Sequence, residues 1–485
     1  MFIFAPIFVF FLWLCCNRLI ALDEGFYVIA AQLISHGKIP YTDFFYPQAP
    51  ILPYLYAGWM QIFGYDWYAA RALAALFSSG IVFVLYLLLK ERYGRLIAFL
   101  GALCLALNAM FWPWMLVVKT YAPATFFLLL AYYLVTSARS QQRLLIAGIS
   151  IGLGIGCRLY LAALVPLFLV LFLKDRAFFK SFLVGGFLTS LPFIALAAFD
   201  WPAFWYNNMG YHLSRSPGSF SRSLPQKWDI VANLFGITPT LNIERWGLPV
   251  FTWLATLNIA RTLLSQRAPS LAAGIIIVLG CVSLLPQPTY DQYFCIIVPF
   301  IIIEAIACLQ WMQRLCPAPK LAVGALSVCL ALALFLLPDQ ITRYTQTGVG
   351  VTGIQNRQEA QIWQIPAIQT VRDEVNAVTQ PGTEVLALWP GYLLGSHAQP
   401  LPGTENHFGR GAAKQFTAAE RIRFKVLSIT DMEQVVKEKK VSVLVLRTDP
   451  ATKVRLRRPD FLEENGFYPI SKASLVQHLS PVASP

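Results

Sequence analysis

Eleven apolar segments recur along residues 1–337, at about 2–20, 71–89, 96–111, 120–136, 144–156, 159–173, 178–199, 246–264, 271–286, 290–311 and 321–337. Most approach the roughly 17–25 residues that a helix needs to cross a ~30 Å hydrocarbon core, so the pattern predicts about eleven transmembrane helices. The fifth and sixth are short and meet at Cys157-Arg158, which leaves one broken or re-entrant hairpin as the alternative. The last run stops at Pro338, and polar sequence follows. There Ile362, Ile365, Ile368, Val371 and Val375 recur at helical spacing and predict a helix over 358–379. A strand at 384–388, a Gly- and Pro-rich loop at 389–411, helices at 417–425 and 430–440 and a strand at 441–446 complete the expected order. Strands alternating with helices predict a small soluble α/β domain. The expected division is a polytopic α-helical membrane domain, 1–337, and an extracytoplasmic α/β domain, 338–485.

Composition agrees. Of 485 residues 57% are hydrophobic and 13% charged, against about 25% charged in soluble domains. That excludes a disordered chain, a collagen-like one and an ordinary soluble enzyme. The net charge of +13 is a topology signal. Twelve of the 21 Lys and Arg before Pro338 fall in five short connections, among them Lys90, Arg92, Arg139, Lys174, Arg261 and Lys320. By the positive-inside rule this face is cytoplasmic. The connections 21–70 and 200–245 and everything after the last span then face outward, and no nucleic-acid partner is expected.

The first twenty residues have neither a basic n-region nor a small-residue cleavage site, so an uncleaved first span is expected. None of the nine cysteines, Cys316 included, lies in 338–485, and no spacing fits a zinc site. The absence of an Asn-x-Ser/Thr sequon favours a bacterial membrane.

The connection 22–71 holds most of the chemistry. Asp23 and Glu24 follow the first span directly, where the chain enters the outer interface. An acidic pair at this depth is partly desolvated and has a raised proton affinity unless it is paired, which suits a general base acting on a hydroxyl. The competing reading is a polar stop to the span. Phe26, Ile29, Ala30, Leu33 and Ile34 predict an amphipathic interfacial helix over 25–35, with Gly37 at its C-cap. Pro47, Pro50 and Pro53 predict a stiff loop over 41–53, and 54–64 a second apolar helix.

Span, Asp23-Glu24, interfacial helix, Gly37-x-x-Pro40-Tyr41-x-Asp43, Pro-rich turn and second helix together resemble the first outer loop of the GT-C glycosyltransferases. The likeness is to the glycosyltransferase family 39-like branch with protein O-mannosyltransferases, aminoarabinose transferases and RgtA/B/C/D-like enzymes. The resemblance implies inverting transfer of a sugar from a polyprenyl-phosphate donor to a lipid, glycan or protein acceptor. Transfer would occur on the extracytoplasmic face of a bacterial inner membrane. Asp23 matches the catalytic acidic residue and Glu24 its partner, orienting the acceptor or a divalent cation. No other cofactor is implied. Phe26 stands where aminoarabinose-transferase-like sequences have Arg, and Pro47-Gln48-Ala49-Pro50 replaces their Lys-Pro-Pro.

A departing lipid phosphate needs positive charge. Lys119, in the outer hairpin between the third and fourth spans, and Arg158, inside an apolar stretch, are the candidates. For each there is a plainer reading: a snorkelling anchor for Lys119, a structural ion pair for Arg158. Tyr46, Gln48, Tyr290, Asp291 and Tyr293 are candidates for substrate contact. Asp291 could instead pair with Arg158, bind a metal or cap a helix. The 200–245 loop, with Arg215, Arg222 and Lys227, suits sugar stacking or lipid headgroups, while His212 has no ligand-spaced companion. The loop 389–410 could help shape an acceptor pocket, or only pack. No Walker motif, dinucleotide turn or His-Glu-x-x-His motif is present. The rival class is a lipid-linked sugar flippase or secondary transporter, which broken helices and internal repeats would mark.

Overall fold

The structure is a computed structural model and describes residues 4–137, 140–172, 175–214, 220–237, 248–315, 320–347, 357–446, 456, 458–471 and 474–479. Arg139, Lys174, Arg215 and Cys316, and the side chain of Arg222, lie outside the described residues. The chain divides into two compact units: Met1–Cys15, Ala74–Pro192 and Ser214–Thr342 form one, and Cys16–Leu73, Phe193–Leu213 and Arg343–Pro485 the other. The second unit therefore joins the first connection and residues 193–213 to the C-terminal segment.

Each of the eleven apolar segments contains a helix among its described residues. Helices α1 (Phe4–Asn17), α2 (Glu24–Ser35), α3 (Ile51–Phe63), α4 (Trp67–Tyr93) and α5 (Arg95–Ala106) open the chain. Among the described residues, four helical stretches are long and apolar enough to cross a membrane: α4, Arg176–Phe199, Asp291–Leu315 and Leu321–Gln346. The protein is thus a polytopic helical membrane protein with several apolar helices and a C-terminal soluble, sheet-containing domain.

In the membrane-helix unit, Tyr121–Thr136 packs on Gln141–Cys157, and Leu248–Leu264 on Val298–Leu315. Glu304, buried in this second pair, accepts from Asn258 Nδ2 at 2.6 Å and from the Ser270 hydroxyl, so its polar atoms are satisfied away from lipid. The break at Cys157-Arg158 is present. The helix ends at Cys157, Arg158 is extended, and a 3-10 turn Leu159–Leu164 leads into Val165–Val170.

Several expected boundaries move, mostly at proline. Helix α3 begins at Ile51, so Pro53 belongs to its first turn, where a missing N–H costs nothing. Leu321–Thr342 runs through Pro338. The single helix expected at 358–379 is two, Arg357–Ile362 and Ile365–Val378, because Pro366 starts a new helix at its N-terminus. Much of the 200–245 connection is helical, as Trp201–Trp205, Tyr211–Ser214 and Phe220–Phe235.

In the other unit five strands form one mixed sheet. Strands β1 (Glu384–Ala387), β2 (Gln399–Pro400), β3 (Val443–Val445), β4 (Phe467–Pro469) and β5 (Val476–Leu479) are ordered β2-β1-β3-β5-β4. β1 is parallel to β2 and β3, while β5 is antiparallel to β3 and β4. Leu386, Leu444, Met432, Val436 and Phe461 fill its core. Helix α2 belongs to this unit and differs from expectation. Residues Glu24 to Leu33 are all buried, so α2 is enclosed rather than amphipathic. Part of that cover is the turn Pro390–Leu393. Gln32 fixes it by donating to the Leu393 carbonyl at 3.4 Å and accepting from Gly395 N at 2.8 Å.

Candidate functional site

The start of α2 is held from three directions within its unit. Glu24 is fully buried, as is Arg71 from the first turns of α4. The guanidinium grips the carboxylate with two bonds, Nη2 to Oε1 at 2.6 Å and Nε to Oε2 at 3.1 Å. Arg71 also donates to the carbonyls of Arg18 and Leu19, the latter at 2.8 Å. Glu24 Oε1 accepts from Ala21 N at 2.7 Å. One buried ion pair thus ties the exit of α1, the entry of α2 and α4 into one corner, with the charge-assisted, bidentate geometry that makes such pairs strong.

The second hold is Trp389, immediately beyond β1. Its Nε1 donates to the carbonyl of Leu22, the residue before Asp23, at 2.8 Å. Its ring stacks on Trp67 with centroids 5.9 Å apart and meets Trp363 edge-on at 4.9 Å. The indole lies directly on Gly25, where an added Cβ would be 2.6 Å from Cε2. Only glycine permits that approach. The third hold is the bond from Ile20 N to the Trp363 carbonyl at 2.8 Å.

Asp23 is the N-cap residue of α2, partly exposed, and its side chain makes no capping bond to the helix. Of the acidic pair, Glu24 is built into the framework and Asp23 is left at its edge. The carboxylate of Glu24 is held by Arg71 and Ala21 N. Among the described residues no group of three His, Cys, Asp or Glu could hold a metal ion. Glu24, with its oxygens taken by Arg71 and Ala21 N, does not fit a ligand of a resident divalent cation.

Tyr46 lies near α2, 6.2 Å from the Phe26 ring, with its backbone N–H donating to Asn207 Oδ1 at 2.9 Å. Gln48 lies in the same turn, its carbonyl accepting from the buried Tyr41 hydroxyl at 2.7 Å. His212, expected to be solvated, is exposed but its Nε2 lies 3.0 Å from the Pro47 carbonyl.

The basic candidates belong to the membrane-helix unit. Lys119 is only 2% exposed, which does not suit a snorkelling anchor, and its Nζ lies 5.7 Å from the Trp114 ring centre. Arg158 donates through Nη1 to the hydroxyl of Thr120, next in sequence to Lys119, at 2.6 Å. Its guanidinium also lies over Tyr121, Tyr160 and Tyr293, at 4.2, 4.6 and 5.4 Å from their ring centres. Arg158 and Tyr293 therefore come together beside Thr120, the sequence neighbour of Lys119, with Tyr290 edge-on to Tyr293 at 5.7 Å. Asp291 opens the 3-10 turn Asp291–Ile297, and Tyr290 is its N-cap. Lys227 is a structural residue, its ammonium donating to Thr289 Oγ1 at 2.9 Å and to the Pro286 carbonyl at 3.0 Å.

Arg71 was not among the expected site residues, while Trp389 and the buried run Thr404, Glu405, Asn406 and His407 fall in the loop 389–410 that was expected to help shape an acceptor pocket or only to pack, with no residue singled out. An Arg inside an apolar helix was a usable signal for Arg71. The partners of Trp389, at Leu22 and Trp67, are hundreds of residues away, whereas the bonds of Thr404, Glu405 and Asn406 stay within their own loop. Burial pushes the Glu405 carboxyl up to about 8, partly opposed by its own and the Gly403 backbone N–H, with Glu384 and Lys38 the charges that act on it. The folded state therefore binds a proton that the unfolded chain releases near pH 4.5. Stability contributed here is complete below about pH 4.5 and declines until about pH 8. Thermal unfolding of the detergent-purified protein should show that decline, on the order of a few kcal/mol. Glu405→Gln should flatten it, and an equal slope in the variant would contradict the assignment.

The dolichyl-phosphate-mannose-protein mannosyltransferase family model matches residues 47–199. No curated protein sequence matches the chain. Among solved structures, ArnT from Cupriavidus metallidurans bound to undecaprenyl phosphate has a TM-score of 0.63 at 14% identity. That likeness covers 99% of this chain and 98% of ArnT. The Archaeoglobus fulgidus oligosaccharyltransferase complex with Zn and sulfate has a TM-score of 0.52 at 15% identity, over 90% of this chain and 67% of that one. The arabinofuranosyltransferase AftD from Mycobacteria has 0.52 at 15%, over 96% of this chain and 37% of AftD. The chain has the fold of the GT-C membrane glycosyltransferases.

Proposed function

We propose that the protein is an inverting glycosyltransferase with about eleven membrane spans. It takes a sugar from a polyprenyl-phosphate carrier and places it on a hydroxyl of a lipid, glycan or protein acceptor. The site and the C-terminal domain face outward from a bacterial inner membrane, among whose lipids the donor is found. The observation that carries the reading is Asp23, partly exposed at the start of α2 while its neighbour Glu24 is locked to Arg71. The full-length likeness to ArnT bound to undecaprenyl phosphate supports the choice of donor.

Asp23 accepts the proton of the acceptor hydroxyl, whose oxygen forms a bond to the anomeric carbon. The anomeric C–O bond to phosphate breaks, and the polyprenyl phosphate leaves with the electron pair. Lys119 and Arg158 are cations suited to that leaving group. Glu24 acts as a positioning residue through Arg71, and Tyr46, Gln48, Tyr290, Asp291 and Tyr293 remain candidates for substrate contact. A single displacement inverts the anomeric centre. Proton NMR of the product formed from a donor of defined configuration should show the opposite configuration, and retention would contradict this mechanism.

A further inference from the structure

A polar run in the C-terminal segment is buried although it lies in a loop. Thr404, Glu405, Asn406 and His407 are 3%, 6%, 3% and 8% exposed. Loop bonds account for part of this. Thr404 Oγ1 donates to the Leu401 carbonyl at 2.7 Å, and Glu405 Oε2 accepts from Gly403 N at 2.8 Å. Asn406 Oδ1 accepts from Phe408 N at 2.9 Å, which fixes the way its amide faces. The other end of that amide, Nδ2, is buried and has no hydrogen-bond partner among the described residues. A buried donor in that state is costly, and native structures seldom keep one without a reason.

The neighbours of this run supply the reason. The His407 ring lies 5.9 Å and the Phe408 ring 5.7 Å from Phe26, which also neighbours Tyr46 at 6.2 Å. Phe26 stands three residues after Asp23, and residues three apart share a helix face. The run therefore lies along the face of α2 that carries Asp23. Amide, carboxyl and imidazole groups beside aromatic rings are the chemistry that receives a hydroxylated ring, with polar edges bonded and apolar faces packed. Residues 404–407 include no Lys or Arg, although Arg410 Nε donates to the His407 carbonyl at 3.4 Å and the Lys38 charge acts on Glu405. Burial keeps Glu405 largely protonated near neutral pH, able to donate as well as accept. A neutral carboxyl that can donate as well as accept favours a neutral sugar over a phosphate.

We propose that residues 404–407 form a sugar subsite beside Asp23, in which Asn406 Nδ2 donates to a ring hydroxyl and Phe26 and Tyr46 pack the apolar face. The inference rests on the glycosyl-transfer reading of the same unit, and the ring could belong to donor or acceptor.

The test uses full-length protein in lipid nanodiscs. Binding is measured for bare undecaprenyl phosphate and for the same lipid carrying mannose, glucose, arabinose or galacturonic acid. The methyl glycosides of those sugars serve as acceptor mimics. Asn406→Ala removes the amide, while Asn406→Asp keeps the Oδ1 acceptor for Phe408 N and exchanges the donor for an ionisable carboxyl oxygen. Bare-lipid binding should be unchanged in both. A roughly tenfold loss of preference for one sugar-loaded lipid assigns the subsite to the donor. A similar loss of methyl-glycoside binding, with lipid preference intact, assigns it to the acceptor. Wild-type behaviour of both variants in both arms overturns the subsite alone. Loss of bare-lipid binding in both variants also overturns it, since Asn406 would then serve only the fold. Failure of the wild-type protein to bind any of the lipids overturns the glycosyl-transfer reading as well.

Discussion

Asp23→Asn is expected to lower sugar transfer by about 10²–10⁴-fold, the range a positioned general base contributes. The change is isosteric, at a partly exposed N-cap position where the side chain makes no capping bond. Expression and thermal stability should stay near wild type. The loss should fall on kcat, because an amide cannot take the acceptor proton but still fills the space. Activity within a few-fold of wild type would remove Asp23 from the mechanism. Unfolding of the variant would instead identify it as a structural residue.

Arg71→Ala is expected to cost about 3–5 kcal/mol of stability, because it leaves the Glu24 carboxylate buried without its counter-charge. The carbonyls of Arg18 and Leu19 lose donors in the same step. Replacing both charges, as Glu24→Leu with Arg71→Met, should recover most of that loss, since a buried pair is often no better than apolar residues of similar volume. Denaturant titration of the three proteins in detergent measures both numbers. The recovered variant separates two roles for Glu24. As a positioning residue it should be dispensable in part, with transfer returning as the corner refolds; full inactivity in a stable double variant would give Glu24 a direct part in the chemistry. An Arg71→Ala protein as stable as wild type would mean that this corner does not depend on the pair.

Hydropathy made the helices legible because a span is a local property, needing only a sufficient run of apolar residues. Each of the eleven runs contains a helix among its described residues. The errors lie where proline plays two parts: Pro53 and Pro366 each sit in the first turn of a helix, while Pro338 lies near the end of one that continues to Thr342. Strands β4 and β5 were missed because each is short and gains its place only by pairing with a neighbour. The enclosure of α2 was also hidden. Its sequence suits an interfacial helix, and the turn that helps to cover it comes some 360 residues later. In the same way Asp23 and Glu24 stood out by adjacency to a span, yet the sequence could not say which is buried in the framework. That distinction comes from Arg71, 47 residues on, which takes Glu24 into the framework. Trp389, whose indole rests on Gly25, is the other contact that no local pattern could supply.

The central claim is that this chain moves sugars by chemistry and not by transport. The most direct measurement gives purified wild-type protein, in detergent without a gradient or sealed compartment, a polyprenyl-phosphate sugar labelled in the sugar and an acceptor glycan, lipid or peptide. The account predicts label covalently attached to the acceptor and release of polyprenyl phosphate, with both products abolished by Asp23→Asn. No transfer in detergent, together with movement of the intact labelled lipid between leaflets after reconstitution into vesicles, would contradict it.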